Sequence, residues 1–240
     1  CLLILLAVRL VEAPRHGRAR PWTPHITRFV CRNAFRVLGI KYRVIGTPMT
    51  QAGAVVANHS SWLDIFALNA GKTVTFVAKA EVAKWAGIGW LARATGTVFV
   101  KRERREAQGQ IDVFRDRLSV GERLLFFPEG TSTDGLQVLP FKPTLFAAFL
   151  TPDFAHMALQ AVTVRYEAGS GQDPRFYGWW GNMDFAPHLL ATLAASPQGS
   201  VTVVYHAPVQ VDDFSDRKAL AKHLQEQTRA GLNPSLPRKP

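Results

Sequence analysis

His59 and Asp64 stand five positions apart in "ANHSSWLDIFAL", and that spacing sets a geometric condition. On a regular α-helix five residues turn a side chain by about 500°, so the two would face apart. They meet only if His59 lies outside the helix, on the loop that enters it, with Asp64 in the first turn. A carboxylate against one ring nitrogen fixes the imidazole tautomer and supports the imidazolium. The other nitrogen is then free to take a proton, which makes the pair a general base for a hydroxyl. No Gly-x-Ser-x-Gly occurs, and "AGSGQ" at 168–172 does not match it. Ser60 and Ser61 adjoin His59 too closely for attack through the same ring and are expected to cap the helix. The hydroxyl therefore belongs to a second substrate. Taken alone, His59 reads first as a hydrogen-bonded structural histidine at a strand end.

Two further segments change that balance. In "FFPEGTSTDG" (126–135) an apolar strand again ends abruptly. Gly130 permits unusual backbone angles, so successive N–H groups can converge on one concavity. Glu129 and Thr131 add polar side chains, with Ser132 next to them. In "GTVFVKRERRE" (96–106) Lys101, Arg102, Arg104 and Arg105 follow another strand. Arg102, at the strand end, offers a planar donor fork for phosphate or carboxylate. Lys101 is a secondary candidate, and Arg104 and Arg105, laced with Glu103 and Glu106, read as a solvated charge run. All three segments put polar chemistry just after an apolar strand, where ligand sites collect in α/β sheets.

The elements that must position them alternate. Strands are expected at 42–46, 54–58, 74–79, 97–101, 123–128, 159–166 and 200–209. The 200–209 run is a candidate for the last member of the sheet. Helices are expected over 61–70, 106–119, 142–151 and 215–232, the first buried all round and the second amphipathic through Ile111, Phe114 and Leu118. Ser215 is the expected N-cap of the last helix and Gly231 its stop. The fold class is α/β: a mixed, largely parallel central sheet flanked by helices, with an N-terminal membrane-associated helical segment. Residues 1–40 form that apolar and basic segment, 41–232 the α/β domain, and 233–240 a frayed tail.

Composition sets the setting. A chain of 240 residues with 47% hydrophobic content can bury a full core. The net charge of +11 points to an anionic partner. The run "CLLILLAVRLV" is too short to cross a bilayer alone and is read as part of a membrane anchor. From Arg9 to Arg43 there are nine Lys/Arg against one acid, Glu12, which fits the cytoplasmic side of a membrane. The aromatics of 175–185 fit a headgroup zone or ordinary packing equally well. Only Cys1 and Cys31 are cysteines, so there is no disulfide framework, and a reducing compartment is the default.

With these segments in order, the chain resembles the phospholipid and glycerol acyltransferase superfamily, which contains the 1-acylglycerol-3-phosphate acyltransferases. Asn58, His59 and Asp64 match its Asn-His-x4-Asp block. Gly96, Phe99 and Arg102 match Gly-x-x-Phe-x-x-Arg, and Phe127 to Thr131 match Phe-Pro-Glu-Gly-Thr. The fourth block, an apolar strand usually carrying proline, corresponds to "LQAVTV" with Ala161 at the proline position. The resemblance covers about Ile45 to Tyr166. It implies a base, His59, oriented by Asp64, that activates an acceptor hydroxyl to attack an acyl thioester, with Arg102 and the Glu129–Gly130–Thr131 turn holding the acceptor. Acyl carrier protein or coenzyme A would carry the acyl group; no metal or other cofactor is implied.

Two departures bear on the acceptor. Ser132 stands where many phosphate-acceptor members have arginine, and the block-four proline is missing. "EGTSTDG" followed by "VLPFKPTLF" resembles a bacterial subgroup that includes lyso-ornithine lipid acyltransferases. The family default, 1-acyl-sn-glycerol-3-phosphate, is the first expectation for the acceptor, and a lyso-ornithine lipid is the alternative. The expected location is the cytoplasmic face of a bacterial inner membrane, with membrane lipids as partners. Rival readings are a lipid hydrolase using the same pair on water, an inactive membrane-bound relative, and a basic nucleic-acid-binding protein. The last lacks any recognisable motif, so no nucleic-acid partner is expected.

Overall fold

The computed structural model describes residues 2–17, 19–85, 88–100 and 107–232. Lys101 and Arg102 fall outside these. The described chain is a mixed α/β fold built on one eight-stranded sheet. The strands are β1 (Lys41–Ile45), β2 (Gly53–Ala57), β3 (Thr75–Lys79), β4 (Val98–Val100), β5 (Arg123–Phe126), β6 (Ala158–Glu167), β7 (Ser200–Tyr205) and β8 (Val209–Gln210). The helices are α1 (Leu2–His16), α2 (Thr23–Leu38), α3 (Leu63–Gly71), α4 (Ile88–Thr95), α5 (Ala107–Ser119), α6 (Phe185–Ala194) and α7 (Arg217–Leu232).

The sheet order is β1-β7-β6-β2-β5-β3-β4, with β8 also pairing β6. From β6 to β4 every neighbour is parallel. β7 and β8 meet β6 antiparallel and β7 pairs β1 in parallel, so β1, β7 and β8 run against the other five. The interior strand β2, "GAVVA", is buried throughout, as an apolar run covered on both faces must be. Its alternation splits the core: Val55 and Ala57 pack with Phe35, Leu63 and Leu68 of α2 and α3, while Ala54 and Val56 pack with Phe114, Phe149 and Leu224 on the other face.

Several expectations change. The 200–209 run is interior rather than terminal, and it breaks: Val162 pairs Tyr205, but Leu159 pairs Val209, a register shift of one residue at His206–Pro208. Proline there cannot donate to the ladder. The 142–151 helix is a 3₁₀ segment, Pro143–Leu150. In α7 the cap is Asp216, not Ser215, its carboxylate accepting from Lys218 N and Ala219 N at 2.6 and 3.0 Å. Gly231 does not stop α7; it lies inside it, where an added Cβ would collide with Thr163 Oγ1. Helix α6, α4 and the 3₁₀ turn Ala80–Lys84 were not singled out from sequence. Among the described residues no helix is long and apolar enough to cross a membrane.

Candidate active site

β2 and β5 are adjacent and parallel, so the loops leaving their C-terminal ends rise side by side. His59 lies on the first loop and Glu129 on the second. Asn58 closes the end of β2: its Oδ1 accepts from Val164 N at 2.8 Å and its Nδ2 donates to Val164 O at 2.9 Å and Ser60 Oγ at 3.3 Å. The side chain thereby continues the β2–β6 bonding for one step while the main chain turns away.

His59 stands outside α3, and the imidazole meets the helix carboxylate: Nδ1 is 2.7 Å from Asp64 Oδ2. Asp64 is wholly buried and accepts three further bonds. Ser60 N and Ser61 N donate to Oδ2 at 2.7 and 3.0 Å, and Tyr166 Oη donates to Oδ1 at 2.9 Å. A buried carboxylate costs several kcal/mol unless such donors replace its water. The capping relation is thus the reverse of the one expected. The serines offer main-chain N–H groups to Asp64, and only a long 3.4 Å bond runs from Leu63 N to Ser61 Oγ. Tyr166 is buried, and burial together with the Asp64 charge pushes its phenol well above the usual range, so it stays a donor.

The other ring nitrogen, Nε2, has no partner among the described residues, and the His59 side chain is 22% exposed. Its ring stacks on Phe127, centroids 4.0 Å apart and planes 12° from parallel. The imidazole is therefore clamped on one face and at Nδ1, with its proton-accepting nitrogen open.

The Pro-Glu-Gly bend is bolted to this loop. Glu129, 2% exposed, accepts from His59 N through Oε1 and from Leu139 N through Oε2, both at 2.7 Å. Thr133 N donates to His59 O at 2.9 Å. Gly130 has φ +78°, which a side chain would strain. Burial lifts the Glu129 carboxyl to about 7, against the pull of its two N–H donors. Glu129 therefore serves as a tie between loops. Thr131 is exposed and Ser132 is half-buried, and the N–H groups of both lack partners among the described residues. The bend keeps these donors available.

Gly96 and Phe99 sit at opposite ends of a short path. Gly96 ends α4 at φ +88°, and Phe99 lies in β4 beside Ala78 of β3. Gly96 is at the edge of the sheet where β4 enters, away from His59. Lys101 and Arg102 follow β4 in sequence and lie outside the described residues.

Sequence reasoning missed Tyr166, Thr133 and an aromatic cluster. Trp179 N donates to Ser60 O at 2.8 Å, and Trp62 Nε1 donates to His188 Nδ1 at 3.0 Å. Trp62 meets Phe185 edge-on, and Trp179 meets Trp85 and Phe185. Part of the 175–185 segment is thus packed against the loop that carries His59. The only sequence signal for Tyr166 was a polar tip at the end of an apolar strand.

Such a fold and such a pair define an acyl-group-transfer enzyme when set beside known proteins. The family model "Acyltransferase" matches residues 42–164. The lyso-ornithine lipid O-acyltransferase of Rhodobacter capsulatus is 57% identical over 232 residues, covering 96% of this chain and 84% of that protein. The 1-acyl-sn-glycerol-3-phosphate acyltransferase of Neisseria meningitidis is 32% identical over 179 residues, covering 73% and 68%. The crystal structure of the 1-acyl-sn-glycerophosphate acyltransferase PlsC from Thermotoga maritima shares the fold at TM-score 0.64 and 20% identity, over 96% of this chain and 92% of that one. The chain belongs to the acyltransferase family, and it is an acyltransferase of lysolipids.

Proposed function

We propose that the chain moves a fatty acyl group from an acyl thioester to the hydroxyl of a lyso-ornithine lipid. The observation that carries the chemistry is the 2.7 Å contact between His59 Nδ1 and Asp64, with Nε2 left open. Asp64 holds the proton on Nδ1. Nε2 takes the proton of the acceptor hydroxyl as its oxygen attacks the thioester carbonyl. The C–S bond then breaks, the thiolate leaves with the proton from the imidazolium, and an ester remains. A base so placed contributes about 10²–10⁴-fold. The exposed Thr131 and the free N–H groups of Thr131 and Ser132 are the donors we assign to the acceptor or to the developing oxyanion, with Arg102 and Lys101 as their cationic complement. The donor is acyl carrier protein or coenzyme A.

The acceptor reading rests on the 57% identity to the Rhodobacter capsulatus protein over nearly the whole chain, which outweighs the 32% identity to a 1-acyl-sn-glycerol-3-phosphate acyltransferase. Ser132, in place of a phosphate-gripping arginine, agrees with it. We further place the enzyme at the cytoplasmic face of the membrane, with α1 and the basic residues after it toward lipid. The test is a panel of lysolipid acceptors with a labelled acyl thioester. Ester on lyso-ornithine lipid and little on 1-acyl-sn-glycerol-3-phosphate supports the reading. The reverse overturns the acceptor, and free fatty acid alone overturns transfer in favour of hydrolysis.

A further inference from the structure

At the edge of the sheet opposite His59, four arginines of the described residues face one cavity. It has a volume of about 190 Å³ and is lined by Arg9, Arg20, Arg93 and Arg117, with Leu6 and Gly96 beside them. Among the described residues no carboxylate lines it. Arg9 comes from α1, Arg20 from the corner between α1 and α2, Arg93 from α4 and Arg117 from α5. The position follows from the strands: Gly96 precedes β4 and Arg117 precedes β5, whereas His59 and Glu129 follow β2 and β5.

The arginines are held in place. Arg20 donates from Nε to Thr23 Oγ1 at 3.2 Å and from Nη2 to Ala94 O at 2.5 Å. Gly96 leaves it room: a Cβ there would meet Arg20 Nη1, and the guanidinium would have to shift. Arg9 is tied to Glu12 and Arg117 to Glu122, at 3.1 and 3.2 Å, with the arginine side chains 28% and 21% exposed. Arg93 donates to Ala83 O at 2.7 Å. Burial first, then the neighbouring Arg9 and Arg117 charges, lower the Arg20 pKa, while Glu12 and Glu122 oppose the shift. Arg20 and Arg93 have no carboxylate partner among the described residues, so an anion between the guanidinium groups would meet two charges that no ion pair compensates.

We propose that this cavity binds a phosphate group through the four guanidinium groups. Planar guanidinium forks suit a phosphate's oxygens, and a cavity of this size holds one such group. The group is a phospholipid headgroup phosphate or inorganic phosphate. Exposed Leu3, Ile4, Leu10 and Val11 on α1 put apolar side chains on the helix that supplies Arg9, which suits a lipid source. The site is separate from the catalytic pair.

Titration of the full chain with inorganic phosphate at constant ionic strength tests the proposal, with Arg93→Gln/Arg117→Gln against Arg115→Gln. Arg115 lies on the same helix as Arg117 but pairs with Asp112 and Asp153, so its loss removes one positive charge off the cavity, the same change that Arg93→Gln alone makes in it. A single saturable phosphate site is expected, weakened about tenfold or more in the double variant and unchanged in Arg115→Gln. Should the double variant lose its helical circular dichroism, Arg93→Gln alone, which among the described residues gives up only the Ala83 carbonyl bond, carries the comparison. Flotation with phosphatidylglycerol and phosphatidylcholine vesicles separates the sources. Phosphatidylglycerol binding that is weakened in the variant and competed by phosphate marks a headgroup; vesicle binding unaffected by the variant marks inorganic phosphate. Absence of saturable phosphate binding, or equal affinity in all variants, overturns the site.

Discussion

Two carboxylates of this molecule are equally buried and equally well supplied with donors, yet only one is placed for chemistry. Glu12, at the corner between α1 and α2, is 0% exposed and accepts from Trp22 N, Thr23 N, Thr23 Oγ1 and Arg9 Nη1. Asp64 accepts from Ser60 N, Ser61 N and Tyr166 Oη and faces His59 Nδ1. The difference is the fourth partner. Arg9 is a permanent cation, so Glu12 ends in a structural tie at the start of α2. His59 can gain and lose a proton, and its second nitrogen opens outward. Burial and hydrogen bonding hold a carboxylate in place; a titratable partner with a free far side turns that hold into catalysis.

Substitutions at both carboxylates sharpen the contrast. The largest effect is expected at Asp64→Asn, which turns an NH2 group toward the N–H donors or the ring and leaves the imidazolium unsupported: ester formation falls about 10²–10⁴-fold, read as kcat in the acyl-transfer assay. Tyr166→Phe removes one donor from Asp64 and leaves Oδ1 unpaired in the core. The expected result is about tenfold lower kcat with unchanged KM, and a loss of about 1–3 kcal/mol in denaturant unfolding.

Glu12→Gln leaves kcat nearly unchanged but costs about 1–3 kcal/mol of stability at pH 7. Burial raises the Glu12 carboxyl, but the N–H of Trp22 and the other donors outweigh it, so its pKa lies below the ordinary 4.5. A depressed acid pKa stabilises the fold above the unfolded value and loses that contribution as pH falls through the folded one. The deficit of the Glu12→Gln variant, read in thermal melts, therefore shrinks as pH falls below the ordinary 4.5. Glu129 behaves oppositely. Its pKa is raised from 4.5 to about 7, so the native state holds a proton that the unfolded chain releases. Stability from this group is full below 4.5 and is lost as pH rises to about 7. Glu129→Gln should remove that slope, at a cost of about 1–3 kcal/mol from one N–H facing an NH2 group. An unchanged slope would mean that Glu129 titrates normally.

The same contrast shows what a sequence carries. The meeting of His59 with Asp64 is legible because it depends on local geometry: one loop residue and one first-turn residue. The interior strands are legible because β2 and β5 are apolar on both faces. Tyr166 is not legible as a partner of Asp64, since it is brought there by a β2–β6 pairing between segments about a hundred residues apart in the chain. Glu129 is visible as a motif residue, but its tie to His59 N depends on β2 and β5 being neighbours. Glu12 looks like an isolated acid in a basic run, because its partners Trp22 and Thr23 lie beyond a turn. The reversal of β1 and β7 leaves no local mark, since an apolar strand reads the same in either direction.

The most direct test of the base at His59 is acyl transfer by His59→Ala, followed with labelled acyl thioester and lyso-ornithine lipid, beside its circular dichroism. Ester formation about 10²–10⁴-fold slower with an unchanged spectrum is the predicted result. Ester formed at the unsubstituted rate would contradict the assignment of the imidazole as the group that takes the acceptor's proton.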